Sequence, residues 1–326
     1  MVFWRQHALR WRSFAPTAPF EPLLHPKEPL PSPTGEEARQ LEHNHPHAKT
    51  RIRHFLRTHF GSPPTTPVLD IPEEHLLSTD DYLFYVDDIT GHLVGCIRYH
   101  HVGSFHMNNP QPIYVVDCFC IHPTWRKKGV GDYLLTVLHQ FANTHDIPYA
   151  LFLREGPPLS ILSPPLYSGQ YAYRAVTQPR HPSTSVRSLT PRQAYRMLRL
   201  YRDANPDIVL IGKESYPNQS WKWYRYQQRN ILACVQNTYQ TFQKNGERQR
   251  MGWITAWLES PNVTEEDRAN ASRAIAQSLH GQFDYVWTNV AWTGGDQEWI
   301  LDGIFHWYPY QWATSLHIKR CYGILH

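Results

Sequence analysis

Residues 113–153 constrain the fold of this chain more than any other stretch. Ile113–Ile121 reads as a strand, and Leu134, Val137, Leu138 and Phe141 then recur at the spacing of a helix that opens near Gly131. Pro148 closes the link to a second strand, Tyr149–Leu153. Between the first strand and the helix lies His122-Pro123-Thr124-Trp125-Arg126-Lys127-Lys128-Gly129-Val130-Gly131, an R-x-x-G-x-G loop. Glycines let backbone approach a ligand closely, successive N–H groups form an anion nest, and the helix N-terminus adds partial positive charge. Three cations on the same loop suit further phosphate groups. The segment therefore predicts an α/β (α+β) protein that holds a diphosphate. A solvated basic turn is the plainer alternative; strand, loop and helix in the required order argue against it.

The surroundings extend this architecture. Twelve of the 27 prolines lie in the first 72 residues, which predicts an extended arm over 1–72 carrying one short helix at Lys49–His59. Tyr82–Val86 and Leu93–Tyr99 read as a hairpin closed by Asp87–Gly91. In the second half Thr190-Pro191-Arg192-Gln193 is a helix start, as is Thr264-Glu265-Glu266-Asp267. Strands are expected at Ile231–Tyr239, Met251–Leu258 and Tyr285–Trp292. Both halves thus hold two strands, a helix and another strand, a degenerate duplication with its boundary near 176–186. The expected division is an arm over 1–72, a first half over 73–180 and a second over 181–326. With 326 residues, two cores are also what chain length favours.

The R-x-x-G-x-G loop in this setting resembles the GNAT acyltransferase superfamily, in which the pyrophosphate of acyl-CoA sits on that loop. Phe119-Cys120-Ile121-His122 followed by the basic loop resembles the Leu-Cys-Val-His run of N-myristoyltransferases, two fused GNAT-like halves. Val2-Phe3-Trp4-Arg5-Gln6 is similar to that family's acyl-CoA segment, and Cys321-Tyr322-Gly323-Ile324-Leu325-His326 to its apolar tail. Tyr171-Ala172-Tyr173-Arg174 and Phe283-Asp284 with Asn289 are weaker echoes in the same order along the chain.

The resemblance implies transfer of a myristoyl group from myristoyl-CoA to the N-terminal glycine of a protein, with no permanently bound cofactor. Acyl-CoA would lie against Val2, Phe3, Trp4, Phe119, Cys120, Ile121, Arg126, Lys127, Lys128, Gly129, Val130 and Gly131. The C-terminal carboxylate of His326 would take the ammonium proton, its imidazole being an extra candidate. Backbone N–H groups at Cys118 and Phe119 would hold the oxyanion. Asp117, Tyr171, Tyr173 and Asn289 would meet the peptide. An acetyltransferase acting on lysine or a small amine, and a catalytically weak acyl-CoA or peptide-binding module, are the alternatives.

Departures weigh on the peptide site more than on the CoA site. Asp117 replaces the family's Asn, Phe152-Leu153-Arg154-Glu155-Gly156 lacks its hydroxyl, and Gly61-Ser62-Pro63-Pro64 replaces its acidic run. The second half lacks an R-x-x-G-x-G, so a second CoA is not expected. Five cysteines without a C-x-x-C pair or secretory leader argue for a reducing, cytoplasmic setting and against a disulfide scaffold. A net charge of +4 is too small to indicate nucleic acid, and no apolar run suits a membrane span. The expected protein is a monomer without a metal site: His43-Asn44-His45-Pro46-His47 lacks carboxylate or thiol partners and reads as a solvated loop. His100 and His101 read as one buried and one exposed ring. Thirteen per cent of the chain is aromatic, including 12 Trp; a greasy acyl chain and a peptide groove would use part of that excess.

Overall fold

The computed structural model describes residues 21–22, 28–61, 68–105, 112–147, 149–158, 165–178, 185–204, 209–212, 218–313 and 321–324. Its contacts divide the chain into two compact units, 1–167 with 306–317 and 168–305 with 318–326. The second unit thus begins at Ser168, ahead of the 176–186 segment, and each unit receives a late stretch of chain.

The first unit runs β1 (Arg39–Gln40), α1 (Pro46–His59), α2 (Glu73–Leu76), β2 (Tyr82–Asp87), β3 (Leu93–Phe105), β4 (Pro112–Ile121), α3 (Val130–Thr144) and β5 (Ala150–Glu155). Strands β1 to β4 pair antiparallel in the order β1-β2-β3-β4, and β5 joins β4 in parallel. The parallel step follows from the intervening helix, because a tight turn joins only antiparallel neighbours. Leu134, Leu135 and Leu138 of α3 are buried against Val86, Val94, Ile97 and Tyr99, with Phe152, Tyr308 and Tyr310 in the same core.

Helix α1 begins three residues before the expected Lys49. Pro46 occupies its first turn and the His45 ring accepts the Ala48 N–H at 3.4 Å, so part of the histidine run is a helix start instead of a loop. β3 continues past Tyr99 to Phe105. A register shift between His101 and Gly103 disturbs the alternation of faces there. His101 accordingly is not the exposed ring expected: its side chain is 14% exposed and packs on Tyr114, with ring centroids 5.0 Å apart.

The second unit is built from β6 (Tyr167–Ala175), β7 (Val186–Leu189), α4 (Pro191–Ala204), β8 (Val209–Gly212), β9 (Gln219–Tyr226), β10 (Arg229–Lys244), β11 (Glu247–Glu259), α5 (Glu265–Gln277), β12 (Tyr285–Asn289), the part of β13 (Ile300–Tyr310) up to Phe305, whose later residues belong to the first unit, and β14 (Cys321–Ile324). Here β7, β9, β10 and β11 pair antiparallel in that order, and β12 joins β11 in parallel after α5. Element order and strand polarity thus repeat those of the first unit, with β8 inserted. Both helix starts read from sequence are present: Thr190 and Gln193 bond reciprocally, as do Thr264 and Asp267. β12 stops at Asn289, short of the expected Trp292, because the Asn289 side chain accepts the Ala291 N–H at 3.0 Å and starts a 3-10 turn. β14 pairs in parallel with β8 and, at Gly323, antiparallel with Ala256 of β11.

Candidate functional site: a phosphate loop beside a strand bulge

The basic loop leaves β4 through a 3-10 turn, Pro123–Trp125, and enters α3 with Gly129 as its cap. Gly129 has φ +87° and Lys127 φ +64°, the latter uncommon for a residue with a Cβ. A glycine cap offers no side chain to the first turn, and none makes a capping bond here. Among the described residues no protein acceptor meets the N–H groups of Val130 and Gly131. Those donors, the positive end of a helix dipole and three exposed cations form a cradle suited to a diphosphate.

Arg126 also braces the loop: its Nε donates to Ile121 O at 3.2 Å and its Nη2 to His59 O at 3.3 Å. Lys128 Nζ lies 5.1 Å from the Trp125 ring centroid. The His59 and His122 rings stand 4.4 Å apart, and burial with the neighbouring His122, His54 and Arg126 keeps His59 below the usual imidazole range. Gly95 on β3 sets how closely α3 approaches the sheet. A Cβ there would come within 2.9 Å of Leu134 and 3.0 Å of Val130.

Strand β4 carries the second part of the site. Its register with β3 jumps from Cys96↔Cys120 to Arg98↔Asp117, leaving Cys118 and Phe119 in a bulge with Cys118 at φ +50°. Pairing of β4 with β5 is confined to Tyr114↔Ala150 and Val115↔Leu151, ahead of the bulge. Past Val115 the two strands run on without a shared register. Such a parting exposes backbone donors and acceptors that an extended ligand can satisfy. Phe119 and Ile121 are half-buried beside the core, and Cys120 is buried. Burial pushes the Cys120 thiol up to about 12 and raises the Cys96 and Cys118 thiols well above their ordinary value, so all three are protonated at neutral pH. Thiolate nucleophiles are disfavoured by this environment.

Asp117 is occupied by a protein partner. Arg98, with a side chain 6% exposed, donates to its two oxygens at 2.7 and 2.6 Å and to Leu76 O at 2.8 Å. Asp81 lies 3.9 Å from the same guanidinium and also receives His100 at 3.0 Å. Any substrate ammonium at Asp117 competes with Arg98. Neither Arg98 nor the α1 carbonyl that braces Arg126 is legible in sequence, because cross-strand register and helix packing bring them in. Gly95, a glycine inside a strand pattern, is the missed residue that did carry a signal.

The other candidates lie in the second unit or outside the described residues. Tyr171 and Asn289 are direct partners across β6 and β12, as are Tyr173 and Trp287. Tyr171 meets Phe305 and Trp253 edge-on at 4.4 and 5.5 Å, forming an aromatic cluster with Trp287. Asn289 spends its Oδ1 on the 3-10 turn. Val2, Phe3, Trp4 and His326 are outside the described residues. Helix α5, the counterpart of α3, has a filled capping box and Glu265, Glu266 and Asp267 in its first turn, which repel a diphosphate.

Residues 50–159, which contain β2 to β5 and the loop, match the Acetyltransferase (GNAT) family. That stretch has the architecture of the GNAT acyltransferases. More particularly, the fold of the whole chain is similar to that of N-myristoyltransferase. Saccharomyces cerevisiae N-myristoyltransferase with bound myristoyl-CoA and inhibitors is 14% identical, with a TM-score of 0.71 over 99% of this chain and 95% of that one. A second structure of the yeast enzyme with bound myristoyl-CoA is 13% identical, with a TM-score of 0.68 over 95% and 92% of the two chains. No curated protein matches the sequence.

Replacing Arg126 and Lys128 together by Ala removes one brace and two charges. Charge-assisted contacts contribute about 1.5–3 kcal/mol each, so CoA affinity is expected to fall by roughly tenfold or more, with a weaker salt dependence. Titration calorimetry at two ionic strengths checks this, and unchanged affinity would remove the loop from the site.

Proposed function

We propose that the protein moves a myristoyl group from myristoyl-CoA to the N-terminal glycine of a peptide or protein. The observation that carries this reading is likeness of fold over nearly the whole chain to an enzyme solved with myristoyl-CoA, with the phosphate loop intact in the unit that would need it. In this reading the diphosphate rests on Arg126, Lys127, Lys128 and the N–H groups of Gly129 to Gly131. The pantetheine follows the parting of β4 and β5, and Phe119, Cys120 and Ile121 flank the acyl chain with Val2, Phe3 and Trp4. Each buried methylene of that chain contributes about 0.8 kcal/mol.

The glycine amine, once neutral, attacks the thioester carbon. The C–S bond breaks, and the CoA thiolate leaves and takes up a proton. Negative charge on the carbonyl oxygen is met by backbone N–H groups at Cys118 and Phe119, where positive φ turns the strand. The His326 carboxylate takes the ammonium proton. A carboxylate is a weak base for this task, and burial would raise its pKa toward that of the amine. Tyr171, Tyr173 and Asn289 belong to the peptide side, and Asp117 contributes only insofar as Arg98 leaves it free. A monomer acting in the cytoplasm, with acyl-CoA and a peptide or protein that begins with glycine as partners, is the setting that fits. Among the described residues no helix is long and apolar enough to cross a membrane.

The matched family's acetyltransferase description favours a second reading, acetylation of a lysine or small amine. Intact-mass assays with Gly-starting peptides separate the two. Myristoyl-CoA is expected to add a C14 acyl mass to the peptide and to raise Tm far more than acetyl-CoA. Equal thermal shifts with acetyl product would favour the second reading. A large shift without product would indicate a binding module.

A further inference from the structure

From Gly156 to Arg202 the chain contains no Asp or Glu, and every cation there other than histidine is an arginine. The stretch ends in α4, whose Ala194 and Leu198 are buried against Trp221, Leu232, Cys234 and Leu258. Arg192, Arg196 and Arg199 are exposed on that helix, at the i, i+4, i+7 spacing that shares one face. Leu200 is 70% exposed and Tyr195 39% exposed beside them. On the sheet beneath, Leu189 and Trp221 pack with α4, so by alternation Arg187 of β7 and Arg225 of β9 lie on the α4 side too. Both are exposed. Among the described residues Arg187, Arg192 and Arg196 have no carboxylate within ion-pair distance.

We infer that α4, flanked by Arg187 and Arg225, is a docking surface for an anionic phospholipid membrane. Two features select this occupant. Guanidinium groups pair with phosphate in a fixed fork and are weakly hydrated, which suits lipid headgroups. Leucine at 70% exposure among them is of no use to a purely ionic partner, but it can enter the headgroup–acyl boundary while Tyr195 sits at the interface. The surface lies outside the phosphate loop and the bulge, so it stands independently of the acyl-transfer reading.

Co-sedimentation of the full chain with phosphatidylcholine vesicles, with and without phosphatidylserine, tests the assignment. Binding is expected only with phosphatidylserine and falls as salt rises. Arg192→Gln, Arg196→Gln and Arg199→Gln combined should lower partitioning by at least about tenfold, because each cation near an anionic leaflet contributes separately. Leu200→Ser should weaken binding at low and high salt alike. Both variants should keep the Tm and whatever acyl-transferase activity the parent shows on a soluble peptide. Absence of binding by the parent chain, or equal binding by the triple variant, overturns the proposal. So does retained vesicle binding by Leu200→Ser together with Arg-dependent capture of an RNA oligomer, which would assign the face to nucleic acid.

Discussion

Replacing Arg98 by Met is expected to destabilise the first unit by about 3–5 kcal/mol, the range found when one partner is removed from a buried ion pair. The guanidinium is 6% exposed and serves Asp117, Asp81 and the Leu76 carbonyl at once. Methionine fills a similar volume but takes the guanidinium away from Asp117 and from the wholly inaccessible Asp81 carboxylate, which keeps the His100 ring. Chemical denaturation with intrinsic tryptophan fluorescence gives the measurement. A loss below about 1 kcal/mol, the scale of an exposed pair, would show that Arg98 is dispensable. Adding Asp117→Asn should recover part of the loss, because one of the abandoned charges is then gone.

The same network fixes the sign of an acid dependence. Burial pushes the Asp81 carboxyl up, but the His100 hydrogen bond, the His100 and Arg98 charges and the Ser78 N–H together hold it below its ordinary value. A depressed folded-state pKa contributes stability above the unfolded value, and that stability disappears as pH falls through the folded one. Without Arg98 the carboxyl rises, so acid unfolding should begin at a higher pH than in the parent.

Appending one Ala after His326 is expected to lower kcat by roughly 10²–10⁴-fold, the usual contribution of a positioned general base, with acyl-CoA affinity unchanged. Strand β14 holds Cys321–Ile324 between β8 and β11. In the proposed reaction the His326 carboxylate is the base. An added residue moves that carboxylate by up to about 3.6 Å. Single-turnover kinetics and acyl-CoA titration separate the two parameters. Normal kcat would exclude the carboxylate and turn attention to the His326 imidazole or another base. Loss of acyl-CoA affinity would mean that the tail supports the acyl site instead.

Local chemistry was legible where it acts on near neighbours. The R-x-x-G-x-G spacing places glycine at a left-handed helix cap, and it does so at Gly129. Thr190 with Gln193 and Thr264 with Asp267 announce their helices because a capping box closes within four residues. The strand expected over 285–292 ends early, at Asn289, for the opposite reason. Asn289 can cap as well as pair, and side-chain capping of the Ala291 N–H competes with the strand pattern.

What the amino-acid sequence determined by itself is the order of elements, the duplicated plan and the cationic loop at the foot of α3. Each depends on spacing, propensity and charge within a dozen or so residues. What only the tertiary structure decided is the company those elements keep. Register across β3 and β4 delivers Arg98 to Asp117 and forces Cys118 into the left-handed region, the end of α1 supplies a carbonyl to Arg126, and β8 and β11 bracket the tail strand. These contacts join residues far apart in the chain. A one-residue change of strand register would exchange their faces, so they become definite only when the sheets close.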